Sequence, residues 1–248
     1  MVSFISEPIF HLGSFTVTNA VLDTLLVDAL LLGGAFFIAK KLTYVPNLFQ
    51  NIVESIIETF YDMTSSIAPT NALKIFPFFM SFFLFILLAN WSGLIPGVGT
   101  IGFFENHKLV PLLRSTTSDF NTTLALALIS AVSTHILSIK LTGVKDYLSR
   151  FFSINPMNFF IGILEIVSEI TKVVSLSFRL FGNIFAGEVV LATVSTIFAF
   201  LFPLPFLLLE VIVGFVQALV FSMLTMVFMA ILTTPHHAKS LAKGGEHI

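Results

Sequence analysis

Apolar and polar positions alternate along this chain in blocks, and most apolar blocks are long enough to cross a bilayer. Residues 20 to 39 are apolar apart from interruptions at Asp23 and Asp28, and they close on Lys40 and Lys41, so 20–41 predicts a first membrane span. The next block differs. Leu48, Phe49, Ile52, Val53, Ile56, Ile57 and Phe60 recur at helical spacing, with Gln50, Asn51, Glu54, Glu58 and Asp62 on the other face. That pattern predicts an amphipathic helix over 46–68, lying on the membrane surface or packed on a soluble partner. A nearly charge-free second span covers 75–95 and ends at Gly93, Pro96, Gly97 and Gly99. A polar loop with Glu105, Lys108, Arg114 and Asp119 leads to a third span, 121–141, and then to a short charged turn with Lys145, Asp146 and Arg150. Both connections are expected outside the bilayer.

From residue 156 to 202 no turn signal is stronger than Gly182 and Gly187, until Pro203 and Pro205 break the run before a last apolar stretch, 206–232, and a tail, 233–248. A helix over 156–202 would be about 70 Å long, against a hydrocarbon core of about 30 Å. It must bend, tilt steeply or break. With no strong breaker inside it, the expectation is a long, tilted or bent hairpin with 206–232. The whole reads as an all-α polytopic membrane protein, one membrane domain with about five membrane-embedded helices. No internal repeat is evident, which weighs against an inverted-repeat transporter.

Composition agrees: 56% of residues are hydrophobic and 10% charged, and the mean hydropathy is +0.99. A net charge of -2 supplies no basic surface, so no nucleic-acid partner is expected. The absence of cysteine removes a disulfide framework, a thiolate nucleophile and a Cys-ligated metal. The first residues, MVSFISEPIF, lack the basic and small-residue features of a removable signal peptide. With five spans, Lys40, Lys41, Lys74, Lys140, Lys145, Arg150, Lys239 and Lys243 fall on one side, against Lys108 and Arg114 on the other. The positive-inside rule then places the C-terminus in the cytoplasm or its organellar equivalent and the N-terminus outside.

The remaining basic residues, Lys172 and Arg179, lie within the long segment beside Glu165, Glu169 and Glu188, and the last span carries Glu210. Each such group costs about 2.5 to 3.5 kcal/mol near the bilayer centre on insertion scales. Snorkelling to an interface and a structural ion pair are the plain explanations. Spacing adds another: Glu165, Ser168, Lys172, Ser175 and Arg179 recur every three or four residues, as one polar stripe that Asn183 extends. Gly182, Ala186 and Gly187 make the adjoining surface narrow enough for a neighbouring helix. Along the helix Glu188 stands about 13 Å outward of Arg179, and Glu165 about 21 Å inward. Glu210, seven residues outward of Gln217 on the returning helix, meets the depth of Glu188, with Gln217 near the level of Arg179. Two polar half-paths flank one fixed positive charge.

The stretch SLSFRLFGNIFAGE (175–188), with LEIVSEITKVVS before it and FVQALVF after it, closely resembles the signature helices of the a subunit of F-type ATP synthases. ANWSGLIPG and SDFNTTLAL extend the resemblance over most of 75–232, while the first 45 residues add only topology. The resemblance implies a bacterial inner-membrane (or organellar inner-membrane) stator subunit. Its implied partners are the c-ring, peripheral-stalk b subunits, the lipid bilayer and protons, with sodium as the other candidate ion. It implies no cofactor and no metal, with the ATP chemistry on other subunits; no phosphate-binding loop pattern occurs here. By the same resemblance, Arg179 faces the ring carboxylates, Glu188 and Glu210 occupy the outer half-channel, and Gln217 and Asn183 stand beside the arginine. Glu165, Ser168 and Ser175 match the inner path, though Glu165 also suits an interface. Where many bacterial relatives carry an acidic residue, this chain has Gly93, so Asp119, Asn121 and Asn90 are expected to serve the outer entrance. His135 reads as a satisfied interfacial histidine, and His236 and His237 as solvated. A self-contained secondary transporter or channel, or a scaffold pairing its charges with another subunit, remain the other function classes.

Overall fold

A computed structural model describes residues 8–12, 15–95, 102–105, 108–111, 114–151, 156–197 and 203–234. Two strands, β1 (Pro8–Leu12) and β2 (Phe15–Thr18), form an antiparallel hairpin that runs directly into α1 (Asn19–Lys40). Next come α2 (Leu48–Ile67) and α3 (Ala72–Ser92), then a second hairpin of β3 (Gly102–Glu105) and β4 (Lys108–Pro111). A single 3-10 turn, Thr116–Ser118, leads to α4 (Phe120–Thr142), α5 (Val144–Phe151), α6 (Pro156–Ile197) and α7 (Pro203–Thr233). The architecture is all-α, with two small hairpins added at connections.

Four helices, α1, α3, α4 and α7, are long and apolar enough to cross a membrane. The fifth long helix, α6, is one continuous element of 42 residues, about 63 Å at the standard rise. Its row of ionisable residues, rather than any break, sets it apart from the other four. α7 starts at Pro203, three residues earlier than expected, because proline suits the first turn of a helix, where its missing N–H has no intrahelical partner anyway.

Two connections differ from the sequence reading. The polar loop before α4 contains the β3–β4 hairpin, and the charged turn after α4 is the helix α5, entered through Gly143, whose φ of 86° suits the residue closing a helix. Arg114, expected among solvated loop charges, is 8% exposed and folded against the helices. Arg150 is also buried, with NH1 donating to the carbonyl of Ile231 at 3.4 Å and NH2 to that of Thr234, so it caps the C-terminal end of α7. The tail histidines His236 and His237 lie outside the described residues.

The core lies between α3, α4, α6 and α7. Phe82, Phe83, Ile86, Leu126, Leu176, Leu180 and Phe221 form one cluster, and Ile75, Phe79, Leu137, Met226 and Met229 a second. Hydroxyls stitch the buried helix contacts: Ser130 to Thr225 at 2.8 Å and Ser138 to the carbonyl of Leu232 at 2.6 Å. α2 packs through Phe60 on Phe79 and Phe83, leaving Leu48, Phe49, Ile52 and Ile56 exposed toward its N-terminal end. An apolar face presented this way suits a lipid interface.

Candidate functional site

α6 buries Leu176, Ser177, Leu180 and Ile184 against the bundle and turns Ser168, Ser175, Arg179, Gly182 and Asn183 outward. The stripe read from spacing is therefore an exposed face of the longest helix. Arg179 stands at its middle, with NH2 3.4 Å from the Ser175 hydroxyl. Among the described residues no carboxylate pairs with it. An unpaired guanidinium on a membrane helix is costly unless something outside the chain answers its charge.

α7 supports this level from behind. Gln217, 4% exposed, accepts a hydrogen bond from Asn183 Nδ2 at 2.9 Å, tying the two helices beside the arginine. Toward the N-terminal end of α6 a groove of about 440 Å³ runs along the helix from Leu164 past Ser168, Lys172 and Ser175 to Arg179, with Phe228 of α7 on its wall. Glu165 is half-buried close to the start of that groove.

Toward the C-terminal half of α6 Glu210 is 5% exposed and packs directly on Gly187; any Cβ at 187 would collide with the Glu210 carboxylate. Glycine is required there by close approach, and the next residue, Glu188, is thereby placed beside Glu210, near enough for the two charges to interact. Glu210 Oε1 and Gln217 Nε2 are buried atoms with no hydrogen-bond partner among the described residues. A buried carboxyl oxygen without a fixed donor is free to take and release a proton.

Sequence reasoning missed the cation of this group. Arg114 NH2 lies 3.3 Å from Glu188 Oε2, while its Nε donates to the Ser118 hydroxyl at 3.0 Å. The segment carrying Arg114 is pinned by buried hydrogen bonds. Asp23 of α1, 2% exposed, accepts from Thr116 N at 3.0 Å, Thr116 Oγ1 at 2.8 Å and Ser92 Oγ at 2.8 Å. Asn90 accepts from Thr117 Oγ1 at 2.7 Å and donates to the Gly214 carbonyl at 2.9 Å. Asn90 thus acts as a brace between α3, α7 and the Arg114 segment. Asp119 caps α4, accepting from Asn121 N at 3.1 Å, and both stand at the more open margin of the site. One available signal was the imbalance of charge: α6 and α7 together hold Glu165, Glu169, Glu188 and Glu210 against Lys172 and Arg179.

Four apolar helices of spanning length and a fifth long helix with a charged outward face define a multi-pass membrane protein. The family model described as ATP synthase A chain matches residues 21–230. Among similar proteins, "ATP synthase subunit a" of Moorella thermoacetica is 34% identical over 222 residues, covering 90% of this chain and 94% of that relative. The subunit of the same name in Syntrophobacter fumaroxidans is 38% identical, covering 88% and 85%. That of Legionella pneumophila strain Paris is 31% identical over 96% of both chains. The chain belongs to the ATP synthase A chain family.

Proposed function

We propose that this chain is the stationary ion-conducting subunit of an F-type ATP synthase motor, with two offset half-paths that meet at Arg179 opposite a ring of c subunits. The observation that carries the reading is the position of Arg179: an exposed guanidinium without a carboxylate partner among the described residues, between a groove on one side along α6 and a carboxylate pair on the other. A guanidinium stays charged at every working pH. It attracts a ring carboxylate that has lost its ion and disfavours a cation crossing directly between the half-paths. An ion entering on the outer side passes Glu188 and Glu210, loads a ring carboxylate, travels with the ring and leaves along the Ser175, Ser168 and Glu165 side. Asp119 and Asn121 stand at the outer mouth. Arg114 holds Glu188 in place.

The driving energy is the membrane potential, about 2.3 kcal/mol per charge per 100 mV, with any concentration gradient added. Protons are the ion of this reading, with sodium as the other candidate, since the choice falls to the ring's own binding site. The N-terminus lies outside and the C-terminus in the cytoplasm of a bacterial inner membrane. The exposed apolar faces of α1 and α2 meet lipid and the b subunits of the peripheral stalk. Because the chain has no cysteine, a single introduced one reports cleanly. A Cβ at Gly182 points into open space on the Arg179 face, whereas Ser177 is fully buried. In the assembled complex, Gly182→Cys should cross-link to a cysteine on the ring's outer helix and Ser177→Cys should not. Equal cross-linking of both, or of neither across a scan of ring positions, would remove the ring from this face.

A further inference from the structure

A second cluster of titratable groups lies away from the carboxylate pair, on the side of α6 that faces α4 and α5. His135 of α4 places Nδ1 3.0 Å from the Tyr147 hydroxyl of α5, and Nε2 3.7 Å from Oε2 of Glu169 on α6. The other oxygen of Glu169 accepts from Lys172 Nζ at 2.7 Å. Lys172 in turn lines the groove that ends at Arg179 and lies 4.5 Å over the Phe228 ring. The side chains of His135, Glu169 and Lys172 are 27%, 15% and 24% exposed, so the cluster is partly buried yet within reach of water. The imidazole meets Tyr147 from α5 and Glu169 from α6; Lys172 pairs with Glu169, and the charges of Glu165 and Arg150 act on Tyr147. α7 contributes only the Phe228 ring, since its one ionisable residue is Glu210 at the far end.

Resting on the motor reading above, we infer that Glu169 and His135 are a proton-transfer pair at the inner end of the groove, with Tyr147 as the positioning residue that sets the imidazole tautomer. Nδ1–H donates to the phenolic oxygen, which leaves the Nε2 lone pair toward Glu169. A proton arriving on Glu169 makes it a carboxylic acid. Its O–H bond then breaks as an N–H bond forms at Nε2, directly after a small side-chain rotation or through one bridging water. The products are a carboxylate, already paired with Lys172, and an imidazolium, which returns its proton to water on the inner side. Burial, then the charges of Glu169 and Glu165, raise the Tyr147 phenol above its ordinary value, so it stays protonated and neutral as a fixed hydrogen-bond partner. Histidine is the side chain whose unperturbed charge change falls nearest neutral pH.

The test uses the complete synthase in vesicles, with the outer-side pH held constant and the inner-side pH varied while ATP synthesis is followed. The parent rate should show a step as the inner-side pH is varied. His135→Gln should abolish that step and slow the maximal rate by about two- to fivefold. Glu169→Gln should move the step, and Tyr147→Phe, which keeps the ring against Phe151, should move it less in the same direction. If His135→Gln fails to assemble, Glu169→Gln and Tyr147→Phe give the same readout. Parent-like profiles in the assembled variants overturn the inference. Loss of the motor reading has a separate signature: ATP synthesis by Arg179→Ala in the same vesicles.

Discussion

At the scale of single residues, the outer group is a three-charge arrangement in which each member constrains the others. Arg114 neutralises Glu188 from one side and Gly187 presses on Glu210 from the other. Glu188→Gln and Glu210→Gln should each lower ATP synthesis at low driving force, and the double variant should be lower than either. Parent-like rates for both singles would remove them from the path. Gly187→Ala should lower synthesis by about tenfold or more, because displacing a transfer group by about 1 Å has effects of that order. Assembled Gly187→Ala with the parent rate would show that the close approach has no functional weight. Arg114 was hidden from sequence reasoning because it sits 74 positions from Glu188, in a connection where cations are ordinarily solvated. By contrast Arg179, Glu188 and Gln217 were legible, since helical spacing and depth fix their relative positions once α6 and α7 are recognised.

Among the elements, the α1 clamp on the Arg114 segment decides whether the outer side is rigid. Removing the Asp23 carboxylate leaves the buried Thr116 N–H without its acceptor and leaves the Ser92 and Thr116 hydroxyls only the Ala89 and Ala20 carbonyls, a loss of about 1 to 3 kcal/mol. Asp23→Ala should therefore lower the thermal midpoint of the detergent-solubilised complex, or open the 114–118 segment to protease, while Asp28→Ala, on an exposed part of α1, should do neither. Identical behaviour of the two variants would contradict the clamp. Period and length revealed the helices; they were silent on both β hairpins, which depend on pairing between short strands in connections that carry no periodic signal. α5 was equally opaque as a helix: only eight residues long, it offers too few turns for an apolar face to repeat. The long continuous α6 was legible for a physical reason, namely that no residue between Pro156 and Ile197 breaks helical hydrogen bonding.

For the molecule as a whole, the unusual feature is a charged helix face left open by its own bundle. Among the described residues no other part of the fold lies within 4 Å of a Cβ added at Gly182, so Gly182→Leu should leave insertion and folding unchanged. If a ring helix packs on that face, the same substitution should block ATP synthesis; normal synthesis by Gly182→Leu would argue for an open face that meets only lipid or water. The central claim is that Arg179 couples ion flow to the ring from this face, and the most direct measurement is ATP synthesis in energised vesicles by Arg179→Ala and Arg179→Lys, with assembly of the complex checked separately. The account predicts assembled complexes whose synthesis falls below about one hundredth of the parent rate in Arg179→Ala, a change of about 2.7 kcal/mol or more, and poor recovery with lysine, which lacks the planar, permanently charged fork. Substantial synthesis by assembled Arg179→Ala would contradict it.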